Sequence, residues 1–321
     1  MKNAGEQEQL WLMDVASGRS RQILAQATNA DAGFWIGTVH LSDSWLAWEE
    51  VGPGDDLVEA VDWKLYAAPL RRPSLKIGQP VLVASAANTE AARPMFDLLG
   101  SRLVWITTAW TSSGSAGSSR LTMRDLASDR QRVLLRSGGL LNTVNIIGDR
   151  AIVGETRRQE ASRARFAVLD LERRQPVAGF DVASEHSLAH WPAWSDGWLA
   201  WAPFPAEEAT YPLLYLRDPS GRVFAEGGSA VDPCFVGPYL FYQASRQGPA
   251  GRGTTVEVRA LRLSDMMSFV LESGDPDQGD WWSGTVGAPA LKRTYVACLD
   301  RTLMAEKQSD RVTVIRVYAV R

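Results

Sequence analysis

Few side chains in this 321-residue chain could do chemistry. His40, His186 and His190 are its histidines. A transition-metal site needs three or four converging ligands. Only His186 and His190 lie close in sequence, so no metal is expected on them. Asp275, Asp277 and Asp280 in ESGDPDQGD space three carboxylates somewhat like a calcium loop. That loop lacks the terminal Glu which closes such a site, and a solvated crossing loop is the competing reading. Asp232, His190 and Arg93 form the one set suited to moving a proton beside a cation, the requirement for polysaccharide cleavage by elimination or hydrolysis. Glu49, Glu50 and Glu155 read as structural acids inside strands. No HExxH, GxxxxGK[ST] or GxSxG motif is present, so no cofactor is expected. The run TSSGSAGSS (111–119) has no following Lys and reads as a linker loop. Cys234 and Cys298 each sit in an apolar run without CxxC spacing and read as buried thiols.

The remaining candidates are aromatic. Trp35, Trp191 and Trp281, with Arg93, Asn142, His186 and His190, lie in short segments between apolar runs. Large flat rings with a few polar groups suit a sugar ring, a peptide or a partner side chain. The competing reading is that Trp35, Trp191 and Trp282 wedge between packed layers.

What positions these residues is a repeat. In HWPAWSDGWLAW (190–201) an Asp-Gly turn leads into Trp198-Leu199-Ala200-Trp201. Related strands follow at Trp45–Trp48, Arg102–Trp105, Arg150–Val153, Tyr239–Tyr242 and Thr294–Ala297. The six copies recur at intervals of roughly 40 to 57 residues, a repeat-architecture period. After each comes an alternating strand, often ending in Asp, then a polar turn and a short outer strand, as in LTMRDLASDRQRVLL from Leu121. LWLMDVASGRSRQIL from Leu10 repeats that half alone. Asp14, Asp125, Asp170 and Asp218 at these strand ends are suited to bond turn N–H groups, a structural task. Trp48, Trp105 and Trp201 recur at equivalent positions and are expected in the core. Period-2 alternation without a helical pattern makes the chain all-β. Four-stranded units at this period predict a six-bladed β-propeller over 1–321. The units run approximately 31–86, 87–138, 139–184, 185–228, 229–273 and 274–321, with 9–26 closing the ring. One strand is left over, so a seventh, incomplete blade is the alternative. Closure predicts a ladder between Leu10–Val15 and Val312–Val320, which would cover an exposed edge.

PAWSDGWLAW followed by LLYLRDPSG resembles the repeat of TolB-type, WD40-like propellers, which also occurs in the propeller domains of prolyl-oligopeptidase-type enzymes. The resemblance runs from about Leu10 to Val320, carried best by the copy at Pro192. It implies a propeller working through protein partners in the cell envelope, and so an extracytoplasmic setting. The oligopeptidase hydrolase domain is absent, which argues against peptidase activity by this chain.

Net charge is −3, with mixed signs and no basic stripe, which disfavours a nucleic-acid binder. No run of about 20 apolar residues is present, so no membrane span is expected. MKNAGEQEQ lacks the apolar core of a secretory leader. The expected function is a monomeric, non-catalytic binding or scaffold propeller. It would engage a protein or glycan on the face carrying the long loops near 50–62, 110–119, 156–164, 203–212, 244–254 and 301–310. The alternatives are a channel-mouth lyase or glycosidase, and a regulatory propeller serving a separate catalytic partner.

Overall fold

The computed structural model describes residues 10–14, 19–24, 26–52, 62–71, 74–86, 93–110, 116–156, 163–183, 189–203, 214–226, 229–247, 254–274, 281–285, 302–308 and 313–319. They form two compact units, one up to Leu141 and one from Asn142 onward. No helix among the described residues is long and apolar enough to cross a membrane.

In the first unit β1 (Leu10–Asp14) pairs with β2 (Arg19–Leu24). A single 3-10 turn, Ala30–Ala32, leads into β3 (Trp35–Leu41), β4 (Trp45–Val51), β5 (Trp63–Arg71), β6 (Lys76–Ile77) and β7 (Val81–Ala86), one antiparallel sheet. The next sheet runs β8 (Phe96–Leu99), β9 (Arg102–Trp110), β10 (Ala116–Asp125) and β11 (Arg130–Ser137). Period 2 sends successive side chains of β4 to opposite sides. Leu46 and Trp48 pack with Leu10, Leu12, Ile36 and Val39. Ala47 faces the other way, toward Trp63, Leu65, Phe96, Leu103 and Trp105. The sheets thus stack through apolar layers built from alternate residues of the same strands.

The second unit repeats the arrangement. Its sheets are β12 (Leu140–Ile147), β13 (Arg150–Thr156), β14 (Arg163–Asp170) and β15 (Gln175–Ala183); then β16 (Ala189–Ser195), β17 (Trp198–Pro203), β18 (Leu214–Arg217) and β19 (Val223–Glu226); then β20 (Ser229–Val236), β21 (Tyr239–Gln247), β22 (Thr254–Arg262) and β23 (Met267–Gly274). A last sheet holds β24 (Trp281–Thr285), β25 (Thr302–Gln308) and β26 (Thr313–Ala319). Ile152, Phe166 and Val168 pack on Leu199 and Trp201. Ala200, Leu214 and Leu216 pack on Phe235, Leu240 and Tyr242. The repeating tryptophans are core, as expected: Trp48, Trp105 and Trp201 are buried. Cys234 is a buried thiol; Cys298 lies outside the described residues.

The turns follow the repeat. Asp196 and Gly197 take φ of 47° and 85°, both in the left-handed region that a two-residue hairpin turn requires. The Asp-ended turns also behave as expected. Asp125 Oδ1 accepts the N–H groups of Ala127 and Ser128 at 2.9 and 3.0 Å. Asp170 Oδ1 accepts those of Glu172 and Arg173 at 2.9 and 2.7 Å. Asp218 Oδ1 accepts the Ser220 hydroxyl at 2.7 Å and the Arg222 N–H at 2.8 Å. The side chain of Asp14 lies outside the described residues. All three carboxyls sit below the usual Asp value. For Asp125 burial, which alone would raise it, is outweighed by the Ser128 and Ala127 N–H groups. For Asp170 the Arg173 N–H dominates, and for Asp218 the Ser220 hydroxyl. A depressed carboxyl contributes stability that is complete above its unfolded value and lost as pH falls through the folded one. Replacing all three by Asn should therefore flatten the loss of stability from pH 5 downward in urea titrations. An unchanged acid slope would place its source elsewhere.

Three expectations are corrected. Residues 302–308, read as part of a long loop, form β25, which pairs with both β24 and β26. Residues 116–119, read as loop, belong to β10 and pair with β9. The short segments between apolar runs, read from the sequence as crossings at 138–145, 185–191, 228–234 and 279–287, are shorter, because β12, β16, β20 and β24 begin at Leu140, Ala189, Ser229 and Trp281. In each case the extended backbone finds ladder partners for N–H and C=O groups that a buried loop would leave open. The copy at Thr294–Ala297 and residues 53–61, 157–162, 204–213 and 248–253 of the long loops lie outside the described residues. Of the expected closing ladder, Leu10–Asp14 pair with β2 and Thr313–Ala319 with β25 among the described residues; Val15, Val312 and Val320 lie outside them.

Candidate functional site

The sequence candidates converge on one strand position. Trp35 is on β3, Asn142 on β12, His190 and Trp191 on β16, Asp232 on β20 and Trp281 on β24. Each of these is the first strand of its sheet, paired on one side only within it. Arg93 lies just before β8, the first strand of its own sheet. His186, Asp275, Asp277 and Asp280 lie outside the described residues.

The first strands are also irregular there. Register shifts fall between Ile36 and Val39 of β3, between His190 and Ala193 of β16, and between Val231 and Cys234 of β20. Each places two residues opposite one. A β-bulge interrupts the ladder and re-aims side chains, a device common beside functional sites. Trp191 and Asp232 sit within two of these bulges. Pro192 and Pro233 occupy the same gaps, where the missing N–H costs no ladder bond. The β16 bulge is anchored from the neighbouring sheet: Asn145 Nδ2 donates to the Pro192 carbonyl. Asn142 is buried on the same strand, with Nδ2 3.5 Å from Thr156 Oγ1.

In the first unit the site carries charge. Gly37 lies in the β3 bulge against Glu49. A Cβ there would stand 2.5 Å from Glu49 Oε1 and 2.9 Å from Arg93 Nη2, so glycine lets the carboxylate and guanidinium meet. Arg93 Nη2 donates to Glu49 Oε1 and its guanidinium lies over the Trp35 ring, 5.2 Å from the centroid, a cation–π distance. The Glu49 side chain is 1% exposed and that of Arg93 19%. Arg93 therefore stands between a buried acid and solvent. Burial pushes the Glu49 carboxyl above the usual range, and Arg93 and the Thr38 N–H only partly oppose it. Among the described residues Glu49 Oε2 has no hydrogen-bond partner. A buried carboxyl held above its usual range beside a cation is a candidate proton carrier.

Glu49 was read as a strand acid and missed as a partner of Arg93. The available signal was the pair Glu49-Glu50 between Trp48 and Val51. Alternation must bury at least one carboxylate of such a pair, and a buried carboxylate needs a partner. Glu50 faces the opposite side. It accepts the Thr28 N–H at 2.7 Å, Asn29 Nδ2 at 2.9 Å and Trp48 Nε1 at 3.3 Å. These bonds outweigh burial and hold its carboxyl below the usual range. Its task is to pin the segment entering β3.

His40, given no role from sequence, shares a face with Glu49 and is buried. Its Nδ1 lies 2.8 Å from Asp97 Oδ1, which also accepts the Leu98 N–H at 2.8 Å. The His40 ring lies 4.7 Å from that of Phe96. This contact joins two sheets. Asp97→Ala should cost about 1–3 kcal/mol, the penalty of stranding buried polar groups, read from urea unfolding. A neutral result would mean that water replaces the carboxylate. Among the described residues no group of three or more His, Cys, Asp or Glu is placed to hold a metal ion.

No protein-family model and no curated protein matches the chain. Solved structures do. The β-propeller domain of the Trilobed protease from Pyrococcus furiosus aligns with a TM-score of 0.53 at 8% identity, over 89% of this chain and 81% of that one. An acylaminoacyl peptidase from Pyrococcus horikoshii aligns with a TM-score of 0.55 at 8% identity, over 89% and 44%. A prolyl endopeptidase aligns with a TM-score of 0.51 at 13% identity, over 94% and 43%. The chain spans less than half the length of the last two. Together with the successive antiparallel sheets, these likenesses show that the fold is a β-propeller.

Proposed function

We propose that the chain is a binding propeller of six blades, related to the TolB-type repeat, which engages a protein or glycan partner through its first strands. The observation that carries the reading is the coincidence of the candidate binding residues with those strands: Trp35, Asn142, His190, Trp191, Asp232 and Trp281 all fall there. Bulges in β3, β16 and β20 re-aim side chains away from the ladder; the side chains of His190, Trp191, Asp232 and Trp281 themselves lie outside the described residues. Trp281, Trp191 and His190 would supply stacking and hydrogen bonds, and Asp232 and Asn142 polar recognition. The test is a thermal-shift screen against glycans and peptides. A ligand at 100 times its Kd adds about 2.7 kcal/mol, a readable shift. Hits should vanish in Trp191→Ala and Trp281→Ala proteins that still unfold cooperatively. Loss of cooperative unfolding in both would make these rings core.

A second reading is favoured by the neighbours. Two of them carry peptidase names and are more than twice the aligned length, so a propeller acting beside a catalytic partner is the regulatory alternative. Co-purification with a hydrolase whose turnover changes on adding the propeller would select it.

A further inference from the structure

The sheet of β8 to β11 holds a second feature, away from the first strands. Arg120 of β10 stands directly opposite Arg136 of β11, and Thr107 of β9 stands opposite Arg120 on its other side. Directly opposed residues of antiparallel strands share a face, and like charges so placed repel. Other arginines of the protein meet acids: Arg124 pairs with Asp129, Arg259 with Glu257 and Arg262 with Asp265. Arg120 and Arg136 are both exposed. Neither side chain has an ion-pair or hydrogen-bond partner among the described residues. They border a cleft of about 360 Å³ that Thr107, Ser118, Ser119 and Ser137 also line. Ser119, one position along, turns its side chain to the other side of the sheet, where its Oγ lies 2.9 Å from Thr108 Oγ1 and accepts the Leu141 N–H at 3.1 Å. Ser137 Oγ accepts the Gly139 N–H at 2.8 Å.

We propose that this cleft binds a tetrahedral oxyanion, a phosphate or sulfate group carried on a larger molecule. Two guanidinium forks supply charge and paired donors, the geometry suited to such groups. The hydroxyls of Thr107 and Ser118 reach the oxygens that the forks leave open. A carboxylate offers only two oxygens, too few for two paired-donor forks, whereas a phosphate or sulfate ester offers three. The volume lies at the lower end of the range of about 300–1,000 Å³ for ligand pockets, which fits a charged group with part of its carrier. The proposal is independent of the first-strand reading, since none of its residues lies on a first strand.

The test titrates the protein with inorganic phosphate and, separately, sulfate at ionic strength held constant with chloride, by calorimetry and thermal shift. Saturable binding is expected, at least tenfold weaker in Arg120→Gln and in Arg136→Gln. Both variants should also melt above the parent in chloride alone, because the opposed charges are gone. The anion bound more tightly names the group. Equal affinity of parent and variants, a response that does not saturate, or variants that melt below the parent in chloride would each overturn the proposal.

Discussion

Trp48→Ala lowers the unfolding free energy by about 3–5 kcal/mol, the cost of deleting a large aromatic side chain from a packed core. Trp48 has no solvent exposure. It fills the layer between the β1–β2 hairpin and the sheet of β3 to β6, against Leu10, Leu12, Ile36 and Leu46. Its ring stacks on Tyr66 at 5.6 Å, and its Nε1 donates to Glu50. Truncation therefore opens a cavity and removes a donor from the carboxylate that holds Thr28 and Asn29. Trp11, 45% exposed, is the comparison: its truncation leaves no enclosed cavity and should cost clearly less than that of Trp48. Urea unfolding at neutral pH measures both. A loss below about 1 kcal/mol for Trp48→Ala would mean that this layer collapses around the deletion.

Arg93→Ala destabilises by about 3–5 kcal/mol at pH 8, because it strands a buried carboxylate. Arg93, a binding candidate from the sequence, is thereby also a partner that the buried Glu49 needs. The loss is pH-dependent, and its sign follows from the direction of the Glu49 shift. Burial holds the folded carboxyl above its unfolded value of 4.5, with Arg93 the chief opposing influence. Between the unfolded and folded values the native state keeps a proton that the unfolded chain has released. Stability from this group is thus complete below the unfolded value and falls as pH rises through the window. Removing Arg93 raises the folded value further and widens the window. The deficit of Arg93→Ala should therefore be small near pH 4.5 and grow toward pH 8. Adding Glu49→Gln should remove the pH dependence and most of the deficit. A deficit independent of pH would show that Arg93 acts by packing on Trp35 alone.

The repeat made much of this architecture legible. Trp48, Trp105 and Trp201 announced themselves as core because they recur after tight turns, and Asp125, Asp170 and Asp218 as turn acids because they end alternating strands. The limits of the strands were less legible. Trp191 and Asp232 precede prolines, which reads as crossing loop, yet a bulge lets a proline sit inside a first strand. The sequence around 301–310 is polar and alternates weakly, so β25 left little trace. The pairing of Glu49 with Arg93 and the opposition of Arg120 to Arg136 depend on register across strands, and register is set by bulges that composition does not reveal.

The central claim is that the first strands carry the binding residues while the repeating tryptophans carry the core. Its most direct test compares Trp191→Ala, Asp232→Asn and Trp281→Ala with Trp201→Ala, each probed on a glycan array and a displayed peptide library and each melted in parallel. The account predicts that the parent captures a partner, that the three first-strand variants lose it at an unchanged melting temperature, and that Trp201→Ala melts far lower. Capture that survives all three changes, or first-strand variants that melt as low as Trp201→Ala, would contradict it.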